Sequence, residues 1–246
     1  MNKIVKLSVM ETKLFFREKM AVFWTFLFPV LMIWLFGIMF RDAKIGGMTY
    51  SNAYIPSWMA VNILTTAFFG IGTVMANYRE KGILRRYQVT TVRPWMVLTA
   101  QTVQGTVIFT ISAVIILIFG YLMFDLHVPK YLGSTLLAIL LSLGAFFPFG
   151  LLINSMAKNV RTASAISSLA LNLMIFLSGA TFPIEWMPNV LRVIAHILPL
   201  YYVIDLIRQT WNFTSIRENG VDVAVLIGVA IVSIILSSRF FRWSGE

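Results

Sequence analysis

The sequence predicts an all-α integral membrane protein: six transmembrane helices, an N-terminal amphipathic helix at the membrane interface, and two short outer helices before the last span. Three observations predict it. Hydrophobic residues make up 59% of the 246 and charged residues 12%, against about 45–50% and about 25% in an ordinary soluble domain. Six apolar runs approach the roughly 20 residues that a helix needs to cross a hydrocarbon core about 30 Å thick. Lysine and arginine gather on alternate sides of those runs, fourteen against six, which puts both termini on the cytoplasmic side of the cell membrane.

In chain order, residues 2–19 come first. At 100° per residue, Lys3, Lys6, Lys13 and Arg17 fall within an arc of about 80°, while Ile4, Leu7, Leu14 and Phe15 gather on another side. Such a helix lies on the inner membrane surface with its basic side toward headgroups or a partner, or only sets topology before the first span. Glu11 and Glu18 argue against a pure anionic-lipid anchor. Spans are predicted at 20–40, 54–77, 95–124, 131–153, 162–180 and 221–238. None has a charge near its middle, where one would cost about 2.5–3.5 kcal/mol. Gln101 and Gln104 interrupt the start of the third, and Asp222 stands at the start of the last. The whole chain, 1–246, reads as one domain: interface helix 2–19, five spans over 20–180, outer helices within 181–212 and the sixth span. The first apolar run is long enough to stay in the membrane, so no signal peptide is expected to be removed. The chain has no cysteine, which excludes disulfides, thiolate catalysis and cysteine metal sites.

The stretch YREKGILRRYQVTTVRP, residues 78–94, holds six of the thirty charges. Glu80, Gly82 and the pair Arg85-Arg86 suggest a short helix begun near the end of the second span, with Gly82 allowing a bend or a close backbone approach. Thr90, Thr91 and Pro94 prepare the start of the third span, proline being tolerated in a first helical turn. Such an element either transmits force between two long helices or is a solvated, topology-setting loop. Further on, Glu185, Asn189, Arg192 and His196 recur at i, i+4, i+7 and i+11. Pro183, Pro188 and Pro199 divide that segment. Two short amphipathic helices lying at the outer face are expected. The alternative is that residues 199–211 extend the last span, with Asp205 and Arg208 pairing locally at i and i+3.

Uncharged polar residues inside the spans face other helices or a cavity. Asn62, Gln101, Gln104 and Asn172 are the candidate pathway residues among them. With 20 Phe, 7 Trp and 13 Met, a cavity lined by this chain suits apolar or amphiphilic cargo. Ser164 with Ser168, and Ala163 with Ser167, allow close packing of the fifth span inside the chain or between chains. Ion-coupled secondary transport normally needs an intramembrane charge, which every span middle lacks. For an enzyme, His127, His196, Asp125, Asp205 and Glu185 all lie outside or at the edge of the spans, and neither His-Glu-x-x-His nor Gly-x-Ser-x-Gly occurs. Nucleic acid would need a basic stripe on a soluble surface, whereas most of these cations border apolar runs. A stand-alone membrane immunity or sensor protein stays open on the residues alone.

The run EKGILRRYQVTTVRPW, residues 80–95, resembles the first cytoplasmic loop of type-2 ATP-binding-cassette (ABC-2) exporter permeases, in the multidrug and antibiotic-resistance branch. There a Glu-x-Gly-Thr-Leu run precedes an Arg/Leu-rich helix and a Thr-Pro. Ile83 stands here where Thr is common, and Thr91 where Pro is common, with a proline at Pro94 instead. The likeness extends to the N-terminal segment ending in Arg17-Glu18, to Pro29, and to SGATFPIEWMP and LPLYYVIDLIRQ, which are similar to the family's Ser-Gly-x-x-Phe-Pro and Pro-x-x-Tyr-x-x-Asp-x-x-Arg elements. The resemblance implies a half-transporter: two membrane subunits, identical or related, above two ATPase subunits. It implies that Glu80, Gly82, Arg85 and Arg86 receive the ATPase's motion beside the interface helix, with Lys158 and Arg161 as a second contact. It implies that Glu185, Arg192, His196, Asp205 and Arg208 belong to outer re-entrant helices closing the pathway, and that the fifth and first spans meet a second membrane subunit. The chain has no Gly-Lys-Ser/Thr, so ATP and Mg2+ would be ligands of the partner, and this chain binds no cofactor of its own.

Overall fold

The computed structural model describes residues 3–45, 47–89, 92–157 and 159–240. Helix α1 (Lys3–Arg17) stops before Glu18, short of the predicted 19. Helix α2 then runs over residues 19–39, through a π turn at Phe23–Leu27, and a two-residue antiparallel pair, β1 (Lys44–Ile45) with β2 (Met48–Thr49), turns the chain back. Helix α3 (Tyr50–Glu80) contains a second π turn, Thr66–Gly72. The short α4 (Ile83–Gln88) leads to α5 (Pro94–Phe124), α6 (Leu132–Ser155) and α7 (Val160–Leu177). Helices α8 (Asn189–Ala195) and α9 (Pro199–Asn212) precede α10 (Gly220–Phe240). At about 1.5 Å per residue, α2 covers about 31 Å, its apolar part being Phe23–Met39, and α3, α5, α6, α7 and α10 are long and apolar enough to cross a membrane on their own.

Helix α3 is the axis of the bundle. Its most apolar window is 72% buried, against 17% for α7 and for α10. Tyr54, Trp58, Leu64 and Phe68 of α3 lie in the main core with Phe109, Phe146 and Ile204 of its neighbours. Helix α6 packs most extensively on α10 and on the π turn of α3, while α1 lies along α5.

Two prolines inside the spans, Pro29 and Pro56, tie helices together. A proline has no N–H for the carbonyl four residues back, and in lipid that carbonyl must find another donor. Four residues before Pro29, the Thr25 carbonyl accepts the Asn62 amide at 3.1 Å and the Ser112 hydroxyl at 2.9 Å. The Asn62 amide also donates to the Ser112 hydroxyl at 2.7 Å, so α2, α3 and α5 meet at one buried knot. Four residues before Pro56, the Asn52 carbonyl accepts the Asn212 amide at 3.3 Å, joining α3 to α9.

The other face of α3 meets α6 at a glycine notch. A Cβ on Gly150 would come within 2.2 Å of the Ala67 carbonyl oxygen, and one on Gly72 within 2.1 Å of the Asn154 amide. That approach lets the Asn154 amide reach the Gly150 carbonyl at 2.9 Å, the Ser167 hydroxyl at 3.2 Å and the π-turn carbonyl of Phe68 at 3.4 Å. Ala163 and Ser167 are fully buried, whereas Ser168 is exposed. The Ala163/Ser167 spacing therefore serves packing within the chain.

Helices α8 and α9 are bent 89° apart. Both are short and separate from the spans, as expected; Val190 and Val193 of α8 are exposed, as is Ile197 beyond it, whereas α9 packs into the bundle. The apolar stripe Leu200, Val203, Ile204, Leu206 and Ile207 is buried among α3, α6 and α10. A 3-10 turn, Ile216–Glu218, with a reciprocal Ser215/Glu218 cap separates α9 from α10, so α9 is not an extension of the last span.

Candidate functional site

A cavity of about 1090 Å³ lies between α2 and α7, with α3 as its back wall and α1 and α5 at one end. It is bounded by Lys81 and Ile83 at the charged-loop end and by Phe36 and Thr181 at the other. Trp24, Phe28, Trp58 and Phe69 give it aromatic surface, and Asn62, Gln101, Gln104 and Asn172, far apart in sequence, all line it. The first three are almost fully buried and Asn172 is exposed. Among the described residues, both amide atoms of Gln101, the side-chain oxygens of Gln104 and Asn62, and the Thr66 hydroxyl have no hydrogen-bond partner. Asn172 donates to its own helix, at the Ser168 carbonyl, 2.8 Å away.

Glu11 is the functional candidate that the sequence reading set aside. It is only 6% exposed, lines the cavity, and accepts the Tyr78 hydroxyl proton on its two oxygens at 2.8 and 2.7 Å. Burial raises its carboxyl above the usual range, and the Tyr78 hydroxyl pulls it partly back. The signal was present: on a helical wheel Glu11 falls with Ile4, Leu7 and Phe15 rather than with the lysines. Lys3, Lys6, Lys13 and Arg17 are all exposed, along one side of α1.

The charged loop is fastened to the turn between α6 and α7. The Arg79 guanidinium donates to the Ser155 carbonyl at 3.3 Å and to the Ala157 carbonyl, at the end of α6. The Glu80 carboxylate accepts the Val160 N–H at 2.6 Å, at the start of α7. These are the positions where a helix end leaves carbonyls and N–H groups open, and where opposite charge is favoured. Gly82 then adopts φ +65° with open space around it, so it makes a bend and not a close approach. Leu84 is fully buried against Met75, Tyr78 and Val97, anchoring α4, while Arg85, Arg86 and Arg161 are exposed. Lys158, Thr90 and Thr91 lie outside the described residues.

At the opposite end, Arg208 pairs with Glu185 at 3.2 Å, not with Asp205. The buried α9 turns Arg208 toward the Ile184–Trp186 turn, and Asp205 accepts from Gln209 at 3.4 Å. Pro188 interrupts the Glu185-to-His196 stripe, so Glu185 belongs to that turn while Arg192 and His196 belong to the end of α8. Arg192 reaches back to the carbonyls of Glu185 and Met187, both at 3.4 Å, and the His196 ring sits 2.6 Å from the Arg192 carbonyl.

A helical bundle that spans a membrane, leaves a cavity with a polar wall between its spans and fastens a charged loop to one end has the build of a transporter's membrane subunit. The chain belongs to the ABC-2 type transporter family, whose model matches residues 3–211. It is 27% identical over 250 aligned residues to YvfS of Bacillus subtilis (strain 168), named as a transport permease, with 98% of each chain covered. To ycf38 of Porphyra purpurea, also named as a transport permease, it is 29% identical over 239 residues, 86% of this chain and 80% of that one. To YbhR of Escherichia coli (strain K12), named as a multidrug ABC transporter permease, it is 23% identical over 164 residues, 67% of this chain and 45% of that one.

Proposed function

We propose that this chain is the membrane subunit of an ATP-driven exporter that moves apolar or amphiphilic cargo out of the cytoplasm. It works as a single domain paired with a second membrane subunit, above ATPase subunits that hold ATP and Mg2+. The observation that carries this reading is the aromatic and polar cavity beside a charged loop that is bonded to a second loop. Family membership supports the ATPase partner, and the multidrug name of YbhR supports an amphiphilic cargo. The excess of Lys and Arg on the α4 side supports a cell-membrane orientation with both termini and the charged loop in the cytoplasm. On this reading the exposed Arg85, Arg86 and Arg161 meet the ATPase. Arg79 passes its motion to α6 and Glu80 to α7, two helices that meet at Asn154 and Ser167.

The test is co-purification in mild detergent with identification of accompanying chains by mass spectrometry, once as the native chain and once with residues 80–86 replaced by a neutral linker. An ATPase subunit is expected with the native loop and lost with the neutral one. A well-folded protein with no ATPase in either sample would replace this reading with a stand-alone immunity or sensor role. In a complex that does form, Glu80→Ala is expected to leave insertion intact and lower cargo-linked ATP hydrolysis. Gly82→Leu should do likewise, since it must hold a left-handed backbone at about 1–2 kcal/mol. Unchanged transport in both variants would remove the coupling role.

A further inference from the structure

We propose that the cavity takes an amphiphile with a cationic, N–H-bearing head, a primary ammonium or a guanidinium, seated at the Glu11 end with its apolar body along the aromatic wall. This rests on the transport reading above and adds the charge and polarity of the cargo.

The chain as a whole carries a formal charge of +10, which alone would favour anions. The cavity differs. Its charged lining residues are Glu11, Glu18 and Lys81, and of these only Glu11 is buried. Exposed Glu18 and Lys81 act through water and are screened, whereas a buried carboxylate acts at short range through a weakly polarisable surrounding. One Tyr78 hydroxyl supplies a single proton to a group with about four acceptor positions. Beside it the open atoms are the amide of Gln101, with its oxygen and its N–H2 group, and the side-chain oxygen of Gln104 one turn on, while the Trp58 N–H, the Asn62 oxygen and the Thr66 hydroxyl are open farther along α3. Gln101 and Gln104 are each at least 97% buried.

Buried polar atoms without partners are unfavourable, and a buried carboxylate with the open side-chain oxygens of Gln101 and Gln104 beside it is complementary to a donor-rich cation. A carboxylate or sulfate head would place acceptor against acceptor. Trp24, Trp58 and Phe28 extend the same wall and accept an apolar body, or a cation over a ring face. The raised carboxyl of Glu11 agrees with this, because a bound cation restores the ionised form.

The experiment compares three dansyl probes with the same fluorophore and similar tethers: dansylcadaverine, which ends in an ammonium, its neutral N-acetyl form, and dansyl-6-aminohexanoate, which ends in a carboxylate. Binding to the full chain in nanodiscs is read by dansyl polarisation after subtraction of empty nanodiscs. The ammonium probe is expected to bind about tenfold tighter than either other probe, as one charge-assisted hydrogen bond provides. Glu11→Gln should bring it down to the affinity of the neutral probe while leaving the neutral probe unchanged, which also shows the variant folded. If Glu11→Gln loses both probes, Gln104→Leu decides, since it should weaken only the ammonium probe.

Equal affinity for all three heads, a preference for the carboxylate, an ammonium preference that survives Glu11→Gln, or no binding of any probe would each overturn the proposal. The probe measurement uses the native 80–86 loop, and neither Glu11→Gln nor Gln104→Leu alters it. An ATPase that co-purifies while no probe binds therefore rejects the head-group inference alone, and ammonium binding without an ATPase rejects the exporter reading alone.

Discussion

The two faces of α3 are built on opposite rules. Toward α6, backbone approaches backbone at Gly72 and Gly150, and Asn154 meets the polar groups in the notch. Toward the cavity, Asn62 and Thr66 on the same helix, with Gln101 and Gln104 of α5, keep polar atoms buried and open. Toward α6 the polar groups hold the helices, whereas toward the cavity the Asn62 amide holds α2 and α5 while neighbouring side-chain atoms stay without partners. A membrane subunit needs both, since a wall that flexed as a cargo moved past it could not hold the bundle together.

The largest effect should come from closing the notch. Gly150→Leu forces a side chain into the Ala67 carbonyl, so loss of monodisperse protein, or a destabilisation of about 3 kcal/mol or more, is expected by size exclusion and thermal melting. If the variant melts like the native chain, the α3–α6 contact is not close-packed. Asn154→Leu removes the hydrogen bonds in the notch and should cost about 2 kcal/mol.

The opposite face should answer differently. Gln104→Leu replaces an open polar group by an apolar one of similar size, so its melting should stay within about 1 kcal/mol of native or rise, while cargo binding falls. Equal destabilisation by Gln104→Leu and Asn154→Leu would erase the distinction between the faces. The smallest effect concerns acid. Glu11 has a raised carboxyl in the folded chain, so the folded state binds the proton more tightly than the unfolded state. Stability must therefore fall as pH rises from the ordinary carboxylate range through the raised one. Thermal melts of Glu11→Gln in nanodiscs should lose that slope, and a slope of opposite sign would show that the carboxylate is stabilised as an anion.

The spans were legible because each is a long apolar run, a signal local to about 20 residues. Asn62, Gln101, Gln104 and Asn172 were legible as polar interruptions of those runs. That all of them share one cavity was not, because α2, α3, α5 and α7 meet only in three dimensions. The Thr25 knot was hidden for the same reason: Pro29 shows that a carbonyl loses its donor, but not that Asn62 and Ser112, 37 and 87 residues away, supply one. Glu11 was missed for a different reason, since it was weighed as a surface charge when its neighbours on the wheel were apolar. How deeply α9 packs into the bundle was not legible, because Leu200, Val203, Ile204 and Ile207 meet α3, α6 and α10 only in three dimensions. Arg208 reaches Glu185 across the Pro188 break.

The knot at Thr25 also has a mechanical consequence. A stiff rod held at one point along its length behaves as a lever, and the knot pins α2 to both α3 and α5. Six residues lie on one side of that fulcrum, back to Lys19, and fourteen on the other, out to Met39. At about 1.5 Å per residue the arms are about 9 and 21 Å. A small tilt imposed through α1 would thus swing the far tip in the opposite direction and through more than twice the distance, narrowing the cavity at one mouth as it widens the other.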